Sequence, residues 1–223
     1  LSQGCKKLLL ASLGFDEKFV LRALGDHRPC RLVAVALDTG GDAWARVEKA
    51  FAQLQLFGSS LGAKAELVRV PYSGEPLPKL IWLLKRLLAE KLMGYDEVVA
   101  VLTGGPRLLV IALYTALIGL RQRGIAEKVL LRIEGEGFNA LVEERLEGLE
   151  VVELDKLSRE LLRVLVDYSE KGLELGPGEA ARVLGVPKST AYKKLRQLTE
   201  QGLAEYNPVT GRYSATGKAY TNA

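Results

Sequence analysis

Residues 96–112 read D-E-V-V-A-V-L-T-G-G-P-R-L-L-V-I-A. The apolar run Val98–Leu102 halts at Thr103-Gly104-Gly105, and an apolar helical pattern starts directly after Pro106. Such a run, stopped by glycines, is the pattern of a parallel strand buried on both faces and feeding a helix through a tight turn. Gly104 and Gly105 let the backbone come close to a ligand. Pro106 suits the first helical position, where a missing N–H costs nothing. Arg107 is the anomaly: a cation in the first turn of a helix opposes the macrodipole unless an anion sits there too. Thr103–Arg107 therefore reads as one wall of a phosphate-binding cleft. The plainer reading is an ordinary turn whose arginine points to solvent.

The same strand-then-helix unit recurs on both sides. Lys7–Leu13 is a strand running into Ser12-Leu13-Gly14-Phe15-Asp16-Glu17, and the next helix, on Phe19, Val20, Ala23 and Leu24, is expected to stop near Gly25. Arg31–Leu37 is a second strand, leading through Asp38-Thr39-Gly40-Gly41 to a helix striped by Trp44, Val47, Phe51 and Leu54. Ala65–Val70 and the helix Pro78–Lys91 form a third unit, and Lys128–Ile133 is a fifth strand. Ala140–Leu146 stays open between a helix, by propensity, and a glycine-flanked strand closing the sheet edge. The alternation predicts an α/β fold, a Rossmann-like doubly wound and mainly parallel sheet. If its order is 3-2-1-4-5, ligands bind beyond the carboxyl ends of the strands where the order reverses, between the first and fourth. Leu13–Asp16 then faces Thr103–Arg107 across one crevice.

Each residue there has two readings. Phe15 offers a face for a stacked base, or tucks under its loop as core. Asp16 accepts from an adenine amino group or a ribose hydroxyl, or caps the helix after it. Asp38 ends the second strand, where dinucleotide folds keep an acid for the ribose, and Thr39 adds a hydroxyl. Neither G-x-G-x-x-G nor G-x-x-x-x-G-K-S/T occurs at the expected places, so no standard dinucleotide site or P-loop is written here. The single histidine, His27, lies before the second strand and reads as a solvated turn residue, which disfavours His-based catalysis or metal ligation.

From Asp155 the pattern changes to short helices and a hairpin, placing a domain boundary between residues 154 and 155. A first helix, striped by Leu157, Leu161, Val164, Leu165 and Tyr168, precedes Pro177–Leu184 and a third helix after Pro187. A-A-R-V-L-G-V-P-K-S-T-A-Y-K-K-L has helix-turn-helix spacing, with Ala181 at the helix crossing, Gly185 in the turn, and Ala191, Leu195 and Leu198 inward. The outer side of the third helix offers Lys188, Ser189, Thr190, Tyr192, Lys193 and Arg196, residue types that touch phosphates and base edges. Ala204–Asn207 and Arg212–Ala215 form a two-stranded wing with Arg212 near its tip. Residues 186–218 hold six Lys/Arg against two Asp/Glu, a surplus of four that equals the net charge of the whole chain. Basic residues so gathered are the footprint of a DNA binder; the alternative is a winged helix used for protein contacts alone.

At 223 residues, 48% apolar and 26% charged, the composition is that of an ordinary globular protein. The most apolar stretch, residues 108–120, is too short to span a bilayer, and no signal peptide opens the chain, so a cytoplasmic location without membrane contact is expected. Three Asn, six Gln, two Cys and one Met suggest a thermophile. Two cysteines exclude a disulfide scaffold; a Cys5–Cys30 bridge is possible, with free thiols favoured.

S-L-G-F-D-E-K-F-V at 12–20, with L-T-G-G-P-R at 102–107 and the winged helix, resembles the archaeal CRISPR-associated transcriptional regulators. These join a CRISPR-associated Rossmann-fold (CARF) sensor to a winged helix-turn-helix domain, and the resemblance covers nearly the whole chain. It implies a homodimer whose paired sensors hold cyclic oligoadenylate, typically cyclic tetra-adenylate, and whose winged helices bind double-stranded DNA at CRISPR-locus promoters. No cofactor is implied. The matching positions are Gly14, Phe15, Asp16, Thr103, Gly104, Gly105 and Arg107. Pro106 stands where the family often carries a larger apolar residue, and a long closing helix is hardly present. A ring-shaped, two-fold symmetric polyanion suits paired glycine turns, helix N-termini and Arg107 with its mate. The competing readings are a ring nuclease in which Ser12, Thr39 or Thr103 orients a ribose hydroxyl for in-line attack, and a redox repressor that senses NAD(H).

Overall fold

A computed structural model describes residues 6–135 and 140–223. The chain divides into two compact units, Leu1–Leu146 and Glu147–Ala223.

In the first unit, β1 (Lys7–Ser12), β2 (Arg31–Asp38), β3 (Lys64–Pro71), β4 (Glu97–Val101), β5 (Val129–Glu134) and β6 (Leu141–Arg145) form one sheet. Its order is β3-β2-β1-β4-β5-β6, so the reversal lies between β1 and β4. Five strands are parallel. The sixth pairs antiparallel with β5, bringing Ile133 opposite Val142, and so decides the open assignment at 140–146 in favour of a strand. Its five residues are all exposed, which explains why no apolar alternation marks it.

Helices α1 (Lys18–His27), α2 (Asp42–Ser60), α3 (Leu77–Leu92) and α4 (Arg107–Arg121) connect the parallel strands. Right-handed crossovers send α1 and α2 to one face and α3 and α4 to the other, and each pair packs together. The central strands are apolar on both faces: Leu8, Leu9, Leu10 and Leu32–Ala36 are fully buried. Phe19, Val20, Ala23 and Leu24 of α1 join Val47, Ala50 and Leu54 of α2 in one core cluster. On α3, Leu80, Leu84, Leu88 and Leu92 recur every four residues and are all buried.

Helix α1, expected to stop near Gly25, runs two residues further to His27 and ends on Arg28 in the left-handed region (φ 44), where Pro29 follows and cannot extend it. One sequence expectation is corrected here. His27 is not a solvated turn residue. Its side chain is 12% exposed, with Nε2 2.8 Å from Glu143 Oε1. It borders a partly buried ion cluster in which Arg132, 2% exposed, contacts the buried Glu134 and the more exposed Asp26 and Glu143. The Glu134 carboxylate also accepts from Arg22 Nη1 at 2.5 Å. This cluster fastens α1 to β5 and β6. Cys5, and with it the choice between a Cys5–Cys30 bridge and the favoured free thiols, lies outside the described residues; Cys30 Sγ donates to Lys7 O at 3.2 Å.

The second unit holds α5 (Lys156–Glu170), α6 (Pro177–Leu184), α7 (Lys188–Glu200), the hairpin β7 (Ala204–Asn207) and β8 (Arg212–Ala215), and a short α8 (Gly217–Asn222). Leu161, Leu165, Leu175, Ala180, Ala191, Leu195, Leu198 and Tyr213 form its core, and Val152 and Leu154 pack with it. Ala180 is fully buried where α6 meets α7, whereas Ala181 is only partly covered. Gly185, at φ 64, closes α6 in the conformation that the turn requires.

Candidate functional site

The reversal of strand order sets the carboxyl ends of β1 and β4 side by side, and the loops leaving them touch. Ser12, fully buried, donates from Oγ to Gly104 O at 2.5 Å and to Val101 O at 3.3 Å. Gly14 and Gly105 meet so closely that a methyl group on Gly14 would stand 2.8 Å from Gly105 Cα. Gly105 itself takes φ +82. The two loops are thus pressed together, where the sequence placed a crevice between them.

The opening lies beside them. A pocket of about 390 Å³ is lined by Leu13, Gly14, Phe15, Asp16, Phe19, Leu37, Thr39, Ala43, Val47, Gly104, Gly105 and Pro106. That falls within the range of small-molecule sites, roughly 300–1,000 Å³. Its floor is apolar. Its rim carries the exposed Thr39 and loop backbone from both glycine turns.

The sequence-derived residues sort clearly. Phe15 is not core: it is 50% exposed, with the Arg46 guanidinium 4.0 Å above its ring. Asp16 works locally, its Oδ1 accepting from the Lys18 N–H at 3.0 Å and its Oδ2 pairing with Lys18 Nζ at 2.7 Å. What burial Asp16 has would raise its pKa, but the Lys18 contacts outweigh it and hold the carboxyl below its usual value. Asp38 is outside the pocket lining and fully engaged, accepting from the Gly40 N–H at 2.8 Å and from Arg69 Nε at 2.7 Å. Those two donors, the Gly40 amide first, hold its carboxyl below its usual value. Arg69 in turn lies 4.6 Å over the Trp44 ring. Thr103 is likewise occupied, its Oγ1 accepting from the Glu134 N–H at 2.7 Å. Arg107 occupies the first turn of α4, exposed, with no acid beside it in that turn. Among the described residues it has no carboxylate partner.

Phe19, Leu37 and Val47 read from the sequence only as core, and Ala43 and Arg46 were not singled out at all. Val47 was legible only as one residue of an α2 core stripe, because its dual role depends on α2 starting next to the β1 loop. Among the described residues, no group of three His, Cys, Asp or Glu could hold a metal ion, and no helix is long and apolar enough to cross a membrane.

In the second unit, Lys188, Ser189, Tyr192, Lys193 and Arg196 are exposed on α7 and Thr190 is partly so, opposite the buried Ala191, Leu195 and Leu198. Lys188 and Lys193 have no ion-pair partner among the described residues, while Arg196 pairs with Glu200 one turn on. Arg212 lies beside the wing turn, opposite Asn207, but it is not a free cation there. Its guanidinium is held by both Glu179 oxygens, at 3.0 and 3.1 Å, and by Glu174 O at 2.8 Å. The tip itself, Pro208-Val209-Thr210, carries no cation.

A family model described as the Csa3 CRISPR-associated Rossmann-like domain matches residues 7–145, and one described as the IclR helix-turn-helix domain matches residues 160–208. Among solved structures the chain is similar to Enterococcus italicus Csm6 bound to cyclic hexa-2'-fluoro-hexa-dAMP, at TM-score 0.51 and 11% identity over 88% of this chain and 52% of that one. It is also similar to Can2 from Sulfobacillus thermosulfidooxidans in complex with cyclic tetra-adenylate, at TM-score 0.41 and 11% identity over 96% of this chain and 62% of that one. This chain thus spans less than two thirds of either neighbour, and the likeness to Csm6 is one of fold. No curated protein matches. The first family model covers well over half the sequence and both glycine loops, and on that ground the chain belongs to the family of the Csa3 CRISPR-associated Rossmann-like domain, carrying a helix-turn-helix domain behind it.

Proposed function

We propose that this chain is a CRISPR-associated transcriptional regulator that binds cyclic oligoadenylate, cyclic tetra-adenylate being the expected ring, and double-stranded DNA at CRISPR-locus promoters. It acts as a homodimer in the cytoplasm, one ring lying across the two sensor units. The observation that carries this reading is the juxtaposition of two interlocked glycine turns, an apolar pocket and the unpaired Arg107 at the strand-order reversal. Glycine turns bring backbone amides within reach of phosphates, the pocket accepts a base, and Arg107 neutralises charge at a helix N-terminus that already favours anions. Ile111, 51% exposed one turn beyond Arg107, gives the same side of α4 an apolar contact for a second copy. The related fold of Csm6, bound to a cyclic hexa-adenylate analogue, adds support. DNA contact is assigned to Lys188, Ser189, Thr190, Tyr192, Lys193 and Arg196 on α7.

The nuclease reading loses ground on geometry. Ser12 is fully buried with its hydroxyl donated to backbone carbonyls, which leaves Thr39 and Thr103, the latter already accepting from the Glu134 N–H. The dinucleotide reading loses its ribose acceptor, because Arg69 holds Asp38. Incubation with labelled cyclic tetra-adenylate separates them: a sensor retains the intact ring, a nuclease releases linear products, and a redox repressor retains NADH instead. Arg107→Ala is expected to weaken ring binding by about 2 kcal/mol and to leave ligand-free DNA affinity unchanged. Unaltered ring affinity would remove Arg107 from the site.

A further inference from the structure

We infer that Phe15, Arg46 and Lys49 form a nucleotide subsite in which an adenine stacks on the Phe15 ring and the phosphodiester next to it is received by the two cations of α2. The inference rests on the cyclic oligoadenylate reading and extends it to Arg46 and Lys49 of α2, which neither the glycine turns nor α4 supply.

Phe15 borders two depressions. On one side is the apolar pocket; on the other is a hollow of about 250 Å³ lined by Phe15, Glu17, Arg46, Lys49, Ala50 and Gln53. An exposed aromatic shared by an apolar and a cationic hollow matches one nucleotide, whose flat apolar base is tethered to an anion. Arg46 and Lys49 stand three residues apart on α2 and so share a helix face. Neither has an ion-pair partner among the described residues, whereas Lys18, Arg22, Arg31 and Arg69 on neighbouring elements each hold a carboxylate.

The stack of Arg46 on Phe15 adds a second line of argument. A guanidinium is planar and weakly hydrated, and on a phenyl face it occupies the position of a base. An exposed pair of this kind is weak, so it yields readily to a stronger partner. When a base arrives, Arg46 either sandwiches it against the ring or swings outward; both motions leave its N–H fork free for phosphate oxygens. Lys49 adds a point charge one turn further along. Glu17, the one acid lining the hollow, leaves a net positive charge there.

The test uses the full chain and cyclic tetra-adenylate carrying one 2-aminopurine, read by affinity at several salt concentrations and by fluorescence quenching. The Arg46→Gln/Lys49→Gln double variant is expected to bind about tenfold or more weakly, with a shallower dependence of affinity on salt. Phe15→Leu keeps an apolar side chain but no ring, so the bound probe should stay unquenched. All three side chains are exposed, so unchanged melting temperatures are expected for each variant. Wild-type affinity and salt slope in the double variant, or full quenching in Phe15→Leu, overturns the subsite while ring binding by the wild type leaves the sensor reading intact. Failure of the wild type to bind the ring overturns both.

Discussion

A side chain at Gly14 has nowhere to go. Its first carbon would meet Gly105 Cα, and a methyl group on Gly104 would stand 2.9 Å from Ser12 O, so both obstacles are backbone and neither can rotate away. Gly14→Ala must therefore push the β1 and β4 loops apart, breaking the Ser12–Gly104 hydrogen bond and widening the pocket wall. We expect a loss of about 1–3 kcal/mol in urea unfolding of the sensor unit together with weakened ring binding. Stability equal to wild type would mean that the loops are not in contact. Asp155, in the second unit, poses a question of charge. It caps α5, accepting from the Ser158 N–H and hydroxyl, and pairs with Lys194 Nζ at 2.6 Å. Lys194 first, and then Ser158, hold its carboxyl well below the usual carboxylate range. A depressed folded-state pKa contributes stability that is complete above the unfolded value, near 4, and is lost as the pH falls through the folded one. The unit should therefore weaken progressively below about pH 4. Asp155→Asn keeps a good cap but should flatten that acid limb, whereas Asp155→Ala should also cost about 1 kcal/mol at neutral pH. Identical acid limbs for wild type and Asp155→Asn would remove the Lys194 contact from the account.

Among the elements, the recognition helix and the wing carry opposite assignments for their cations. Lys193 of α7 is exposed and unpaired, while Arg212 of β8 forms a fork with Glu179 of α6 and a bond to the backbone of Glu174. Arg212→Ala should cost about 1 kcal/mol of stability and leave the salt slope of DNA binding unchanged. Lys193→Ala should do the reverse, lowering the slope by about one unit with little effect on melting. A reduced slope in Arg212→Ala would return the wing to the DNA interface. The same contrast shows what the sequence could convey. Strand order, crossover direction and the winged helix followed from apolar runs, glycine turns and the stripe Ala191, Leu195, Leu198, all of which are local patterns. Arg212 looked like a free cation because its partners, the Glu179 carboxylate on α6 and the Glu174 carbonyl in the segment before it, are brought near only by folding. Strand β6 had no apolar alternation to betray it, since both of its faces are exposed. His27 read as solvated because its partners, Arg132 and Glu143, belong to β5 and β6, more than a hundred residues away. The site divides in the same manner. Its glycine turns and Phe15 announced themselves, while Arg46 and Val47 became visible only once β2 was placed beside β1, bringing α2 to the first loop.

At the scale of the whole molecule, the proposal makes one arithmetical demand. A ring shared by two sensor units needs one ligand for every two chains, whereas a pocket complete within one chain needs one for each. The pocket seen here is built entirely from a single chain, but Arg107 lies outside its lining and on the same side of α4 as the exposed Ile111. A second copy placed against that face would add a second Arg107, and two guanidinium groups suit a polyanion with two-fold symmetry better than one does. Because such a ligand binds only the paired state, mass action requires it to tighten pairing, and dimer dissociation should shift to lower protein concentration as ligand is added. Linkage adds a further constraint: if the ring alters DNA affinity by some factor, DNA must alter ring affinity by the same factor. Calorimetric titration with cyclic tetra-adenylate should therefore saturate at half a mole per mole of chain, and sedimentation at nanomolar protein should show the dimer gaining at the monomer's expense. Saturation at one mole per mole, with no change in the sedimenting species, would give each protomer its own ligand and leave Arg107 without a mate.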